Sequence, residues 1–177
     1  MTRAVLLALA ILLYALVSLQ GQALNAPDIK PGETIVIRAD AARETRDGDE
    51  GENRALHFTG NFSLDAPDWF VTSDSAVLYG NVDDPLRLEV EGTPARVWTL
   101  DKNGVLEVDA TANTIKYFRQ DDRLLLVGDA VMLEQGNRLS SSSIDYDLAE
   151  RRLIATGEGG VKIIAQPNRP PKVIRQK

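Results

Sequence analysis

The chain has no cysteine, a single histidine among its 177 residues, and few aromatic side chains, 6% of the total. Without cysteine there is no disulfide, no thiolate metal site and no lipid attached through an N-terminal cysteine. One histidine, His57, cannot assemble the multi-histidine metal centres that many all-β enzymes carry. It directly precedes Phe58 in an alternating stretch, so if Phe58 faces a core, His57 faces solvent. Neither a GxxxxGK[ST] phosphate loop nor a GxSxG nucleophile elbow occurs. The expectation is a protein without catalytic residues, metal or cofactor. Basic charge is also short, with 20 Lys and Arg against 26 Asp and Glu and a net charge of −6. Acids lie scattered among the bases, so no phosphate-tracking surface forms and nucleic acid is not expected as a partner.

Two acidic features lead nowhere further. The stretch Asp47–Asn53 begins like a calcium loop, but Gly51 stands where an oxygen ligand is needed, Glu52 where the sharp-turn glycine belongs and Phe58 where a bidentate Glu would close the site. It reads as a solvated hairpin loop. Carboxylate pairs for glycoside hydrolysis are conceivable in an acid-rich chain, yet nothing singles out one pair.

Long apolar runs are confined to the start. After Thr2 and Arg3, the sixteen residues Ala4 to Leu19 include only Tyr14 and Ser18 as polar side chains, and small residues follow at Gly21 and Ala23. This is the pattern of a secretory signal peptide over residues 1–23. The alternative is a retained short anchor, although the run is shorter than the roughly 20 residues that cross a bilayer. Either reading puts the body outside the cytoplasm. Residues 24–33 (LNAPDIKPGE) form a Pro- and Gly-bearing lead-in, and 167–177 form a basic, Pro-containing tail.

Between them, residues 34–166 read as one all-β domain, because short stretches of period-two alternation are bounded by Gly, Asn, Asp and Pro. The strands repeat. Leu56-x-Phe58-Thr-Gly60, Leu88-x-Val90-Glu-Gly92, Leu124-x-Leu126-Val-Gly128 and Leu153-x-Ala155-Thr-Gly157 share one pattern, with glycines at 60, 92, 128 and 157 and therefore 32, 36 and 29 residues apart. A second set, Asp74 to Tyr79, Ala112 to Tyr117 and Ser142 to Tyr146, alternates with the first, and each member ends in Tyr. The unit is two antiparallel strands and a turn, stacked so that one apolar face is shared. Glycine weakens a strand unless it permits a bulge or bend, so its recurrence at one level predicts a sheet curved into a V or roll; ordinary turn glycines between separate short strands are the alternative.

On this alternation the inner face collects Ile35, Ile37, Phe58, Phe62, Leu64, Trp69, Val71, Leu78, Val97, Ile115, Tyr117, Leu126, Met132, Ile144 and Tyr146. A curved sheet with open ends leaves part of such a face available to an apolar ligand, and a charge at Phe62 or Leu126 is expected to block loading. A plain filled β-sandwich, structural or carbohydrate-binding, is the rival. The first and last strands, Ile35–Ala39 and Val161–Ala165, are apolar edges, and edges pair. Head-to-tail pairing of a first with a last strand is heterologous and extends into a filament.

Taken in order, IVIRADAARETR, ALHFTGNFSL, TSDSAVLY, EGTPARVW, ANTIKYF, LLLVGDAVMLEQGNRLSSSSIDYDL and LIATG resemble the OstA-like (LptA) family of lipopolysaccharide-transport proteins over about Thr34 to Ala165. The FTGN and LVGD strands and the Asp145–Tyr146 pair carry most of the likeness. The resemblance implies a single β-jellyroll of V-shaped section, a periplasmic location and lipopolysaccharide carried with its acyl chains in the groove. It also implies a head-to-tail homo-oligomer that bridges an inner-membrane transport complex and an outer-membrane acceptor. The fifteen inward residues would then be the lipid-binding groove. A retained leader would instead match the membrane-anchored LptC-like component of the same pathway.

Overall fold

The computed structural model describes residues 34–46, 54–82, 85–134 and 136–165. The leader, the lead-in, the acidic loop 47–53 and the basic tail lie outside these residues. Ten strands and no helix make up the described fold: β1 (Val36–Arg38), β2 (Ala41–Arg46), β3 (Arg54–Asp65), β4 (Trp69–Gly80), β5 (Pro85–Leu100), β6 (Leu106–Phe118), β7 (Arg123–Glu134), β8 (Asn137–Asp147), β9 (Arg152–Thr156) and β10 (Lys162–Ile164). Their sequences explain them. In β6, Val108, Ala110, Ala112, Ile115 and Tyr117 are buried while most of the residues between them are half-exposed, the signature of a strand with one face on a core. Turn chemistry ends the strands: after β5 the Asp101 carboxylate accepts the backbone N–H groups of Asn103 and Val105, both at 2.8 Å. Those bonds hold the Asp101 pKa below its ordinary value.

Strands β3 to β8 form one antiparallel meander. Both of its ends carry split edges. On one side β1 pairs with Ser63–Asp65 of β3 and β2 with Arg54–Thr59 of the same strand. On the other, β10 pairs with Arg138–Ser140 of β8 and β9 with Ser143–Asp147. The sequence reading had one strand at the first edge; the chain instead breaks at Ala39 and Asp40 and resumes as β2.

A line of register shifts crosses the sheet, between Thr59 and Phe62, Thr72 and Ser75, Glu91 and Ala95, Thr111 and Thr114, and Val127 and Ala130. The breaks between β1 and β2 and between β9 and β10 continue it to both edges. Gly60 and Gly128 stand on this line at φ of 74° and 78°, each followed by a residue at φ 48°. A Cβ on Gly60 would strike the Asp40 carboxylate, and one on Gly128 would lie 2.7 Å from Asn113 Nδ2. They are bulge glycines within strands, the bending role expected of them.

The crease folds the sheet into two wings. Trp69 of β4 and Tyr117 of β6 lie on opposite sides of it, several residues from the bulges, and would stand roughly 30 Å apart along flat strands. Their ring centroids are 5.0 Å apart. The first wing holds β1, β10 and the strand halves between them; the second holds β2, β9 and the other halves. Their facing surfaces form one apolar cluster in which Ala95, Ala110, Leu126 and Ile144 are wholly inaccessible to solvent. On the outside of the first wing Phe70 and Trp98 stack at 5.2 Å, and Arg96 covers the Trp98 ring while forming two bonds to Asp109.

Candidate functional site

The inner face is built from rows of directly paired residues. In the first wing one row runs Ile37, Leu64, Val71, Val97, Ala110, Met132, Leu139 and Ile163, from β1 to β10 without interruption. Two rows cross the second wing: Leu56, Leu78, Leu88, Tyr117, Leu124, Tyr146 and Leu153, and Phe58, Ala76, Val90, Ile115, Leu126, Ile144 and Ala155. Eight strands at about 4.8 Å spacing make the first row roughly 34 Å long. The first-wing row reaches the open strands at both ends, whereas the second-wing rows reach β9 at one end and stop at β3 at the other, where Glu44 and Ala42 of β2 pair with Leu56 and Phe58.

All fifteen residues expected on the inner face are there. Twelve belong to the buried cluster, and Ile35, Ile37 and Leu64 pack against it half-buried. Sequence reasoning missed Leu88, Val90, Leu124 and Leu139, although the repeated Leu-x-Val and Leu-x-Leu alternation points to the first three. The tyrosine repeat misleads in one place. Tyr117 and Tyr146 share a row with Leu78, so Tyr79 falls one residue later and turns outward, where Arg87 covers its ring at 3.9 Å.

The buried tyrosines keep their hydroxyls satisfied at the lips of the V. Tyr117 donates to Asp122 Oδ1 at 3.0 Å and Tyr146 to Glu134 Oε1 at 3.1 Å. Burial, reinforced by the neighbouring carboxylate, raises both phenols, that of Tyr146 to about 12. Glu134 belongs to the first wing and Tyr146 to the second, so this bond crosses between the lips.

Each end of the roll opens. Beside β1 a small apolar cavity of about 50 Å³ lies between Ile35, Ile37, Leu64, Ala66 and Trp69 of the first wing and Leu78, Val82, Pro85, Leu88, Tyr117 and Arg119 of the second. Beside β10 a larger one of about 490 Å³ is lined by Met132, Glu134, Asn137, Arg138, Leu139, Arg151, Leu153 and Ile163. Between the mouths the interior is packed by its own side chains.

This arrangement offers burial for apolar chains. His57 sits half-exposed on the outside, its Nε2 3.0 Å from Thr45 Oγ1. Among the described residues no group of three or more His, Cys, Asp or Glu side chains could hold a metal.

Residues 34–152 match the family described as LptA/(LptD N-terminal domain) LPS transport protein. The chain belongs to this family. No curated protein matches it. Among solved structures it is similar to LptH of Pseudomonas aeruginosa, the LptA-homologous periplasmic component of the conserved lipopolysaccharide transport device, with a TM-score of 0.62 and 19% identity over 76% of this chain and 96% of that one. The two share the LptA-like β-jellyroll. The LptA/LptD family match spans β1 to β8 and stops at Arg152, where β9 begins, so the second open edge lies beyond it and is built by residues that still pair in register with β8.

Proposed function

We propose that this chain is a periplasmic, non-enzymatic carrier that holds lipopolysaccharide by its acyl chains between the two wings and passes it from the inner toward the outer membrane. The observation that carries this is the apolar row of the first wing, which runs from one open sheet edge, at Ile37, to the other, at Ile163. Burying a CH₂ contributes about 0.8 kcal/mol, so an amphiphile with several long chains does not cross water on a useful timescale without a continuous apolar path. Each copy supplies one segment of that path. Edge β1 of one copy pairs with edge β10 of the next, and Ile163 then continues into Ile37 of its neighbour in a head-to-tail oligomer. An energised inner-membrane complex fills the bridge and an outer-membrane acceptor empties it. Because the interior is packed, acyl chains enter as the wings part along their lips, starting from the mouths.

That packing moves the test away from the core. Phe62 and Leu126 are 1% and 0% exposed, so an Asp at either position is expected to destabilise the domain as well as to block loading. Half-buried Leu64 at the β1 mouth is the position to probe. A photoreactive residue there, in cells making lipopolysaccharide, is expected to crosslink to it, while the same residue at exposed Thr72 on the outer face is not. Equal labelling at both positions, or none at Leu64, would overturn the carrier reading.

A further inference from the structure

The two mouths differ in chemistry. The one beside β1 is almost wholly apolar. At the one beside β10, Met132, Leu139, Leu153 and Ile163 form an apolar floor, and Glu134, Asn137, Arg138 and Arg151 bring polar atoms to its rim. Two side chains of the second wing reach across this rim to a single carboxylate of the first: Tyr146 at 3.1 Å and the Arg151 guanidinium at 3.5 Å, both on Glu134 Oε1.

We propose that this mouth is a head-group site, in which Arg151 exchanges Glu134 for the phosphate of an acylated amphiphile whose chain lies on the apolar floor. The proposal rests on the carrier reading and names the part of the ligand that this end recognises. At 3.5 Å the Arg151–Glu134 contact is long for a charge-assisted hydrogen bond, whereas guanidinium and phosphate pair in a two-pronged geometry at shorter range. Glu134 keeps a donor after the exchange, because Tyr146 stays bonded to it, so neither group is stranded. In a copy whose β10 is unpaired, the last of an oligomer, Ile163 is 69% exposed at the open edge, which leaves the head group in water. Glu134 also sets selectivity. Its charge opposes a free anion, while Glu107 of the same wing, its pKa raised by burial, feels the Arg151 charge. Only an anion delivered by a chain already seated on the floor gains the local concentration to displace the carboxylate.

The test is competition binding with the whole protein and three probes: phosphorylated lipid A, the same lipid dephosphorylated, and inorganic phosphate. The wild-type protein is expected to prefer the phosphorylated lipid by about tenfold, the size of one charge-assisted contact. Arg151→Gln removes that preference and leaves the affinity for the dephosphorylated lipid unchanged. Glu134→Gln, which retains an acceptor for Tyr146 and leaves the turn intact, strengthens binding of the phosphorylated lipid alone. Inorganic phosphate in excess displaces neither lipid. Equal binding of both lipids by the wild type, a preference that survives Arg151→Gln, or displacement by inorganic phosphate overturns the head-group site and leaves the carrier reading standing. Failure to bind either lipid overturns both.

Discussion

Gly128 shows how much of the bend rests on single residues. Its φ of 78° and the approach of Asn113 leave a Cβ both strained and obstructed. Gly128→Ala is therefore expected to lower stability by about 1–3 kcal/mol in urea unfolding. Gly159, with nothing within 4 Å of where its Cβ would stand, is the control, and Gly159→Ala should leave the urea midpoint close to that of the wild type. Tyr146 gives a residue-scale prediction of a different kind. Its folded pKa is raised from 10.0 to about 12, by burial first and by the Glu134 charge second. A raised folded value means that the unfolded chain loses the proton first, so the stabilisation is complete below pH 10 and is lost as the pH climbs toward about 12. Urea midpoints measured across that range should fall less steeply for Tyr146→Phe than for the wild type. Tyr117, raised for the same reasons, keeps some of the alkaline loss in the variant.

At the scale of the strand, the proposed assembly rests on the open edges. Ile163 is exposed and β10 is only three residues long, so Ile163→Asp is expected to shift monomer stability by no more than about 0.5 kcal/mol. Placing a charge on the face that would meet the next copy, it should nevertheless abolish oligomers that grow with concentration in light scattering. Oligomers of unchanged size would show that β10 is not the joining edge. The strands also show what a single sequence discloses. Period-two alternation placed every expected inward residue correctly, Trp69 and Tyr117 included, because a strand has only two faces and a buried one demands apolar side chains. The repeated glycines foretold the crease because a strand tolerates glycine poorly without a reason. Pairing partners were harder to read. That β1 and β2 share β3, and that β10 lies on β8 beside β9, depends on contacts between distant residues and on a break at Ala39 and Asp40 that local alternation does not mark. The polar tie on Glu134 was equally hidden, since Tyr146 and Arg151 meet it only once the wings are folded together.

For the molecule as a whole, the central question is whether the wings separate when ligand enters. The packed interior requires it: a chain seated among residues that are already in contact must displace those contacts. The protein carries its own reporter, because its sequence has two tryptophans and the crease puts them in opposite environments. Trp69 lies inside, tilted against Tyr117 across the gap between the wings, whereas Trp98 lies outside, stacked on Phe70. In Trp98→Phe, which preserves an aromatic ring against Phe70, all tryptophan emission comes from Trp69. Lipopolysaccharide is expected to change its intensity and wavelength as the Tyr117 contact opens and acyl chains replace it. In Trp69→Phe the remaining Trp98 should stay constant through the same titration. A response from Trp98 with none from Trp69 would place the ligand on the outer face and leave the wings closed, whereas a response confined to Trp69 makes the fold a clamp that opens along its lips and bends at its line of bulges.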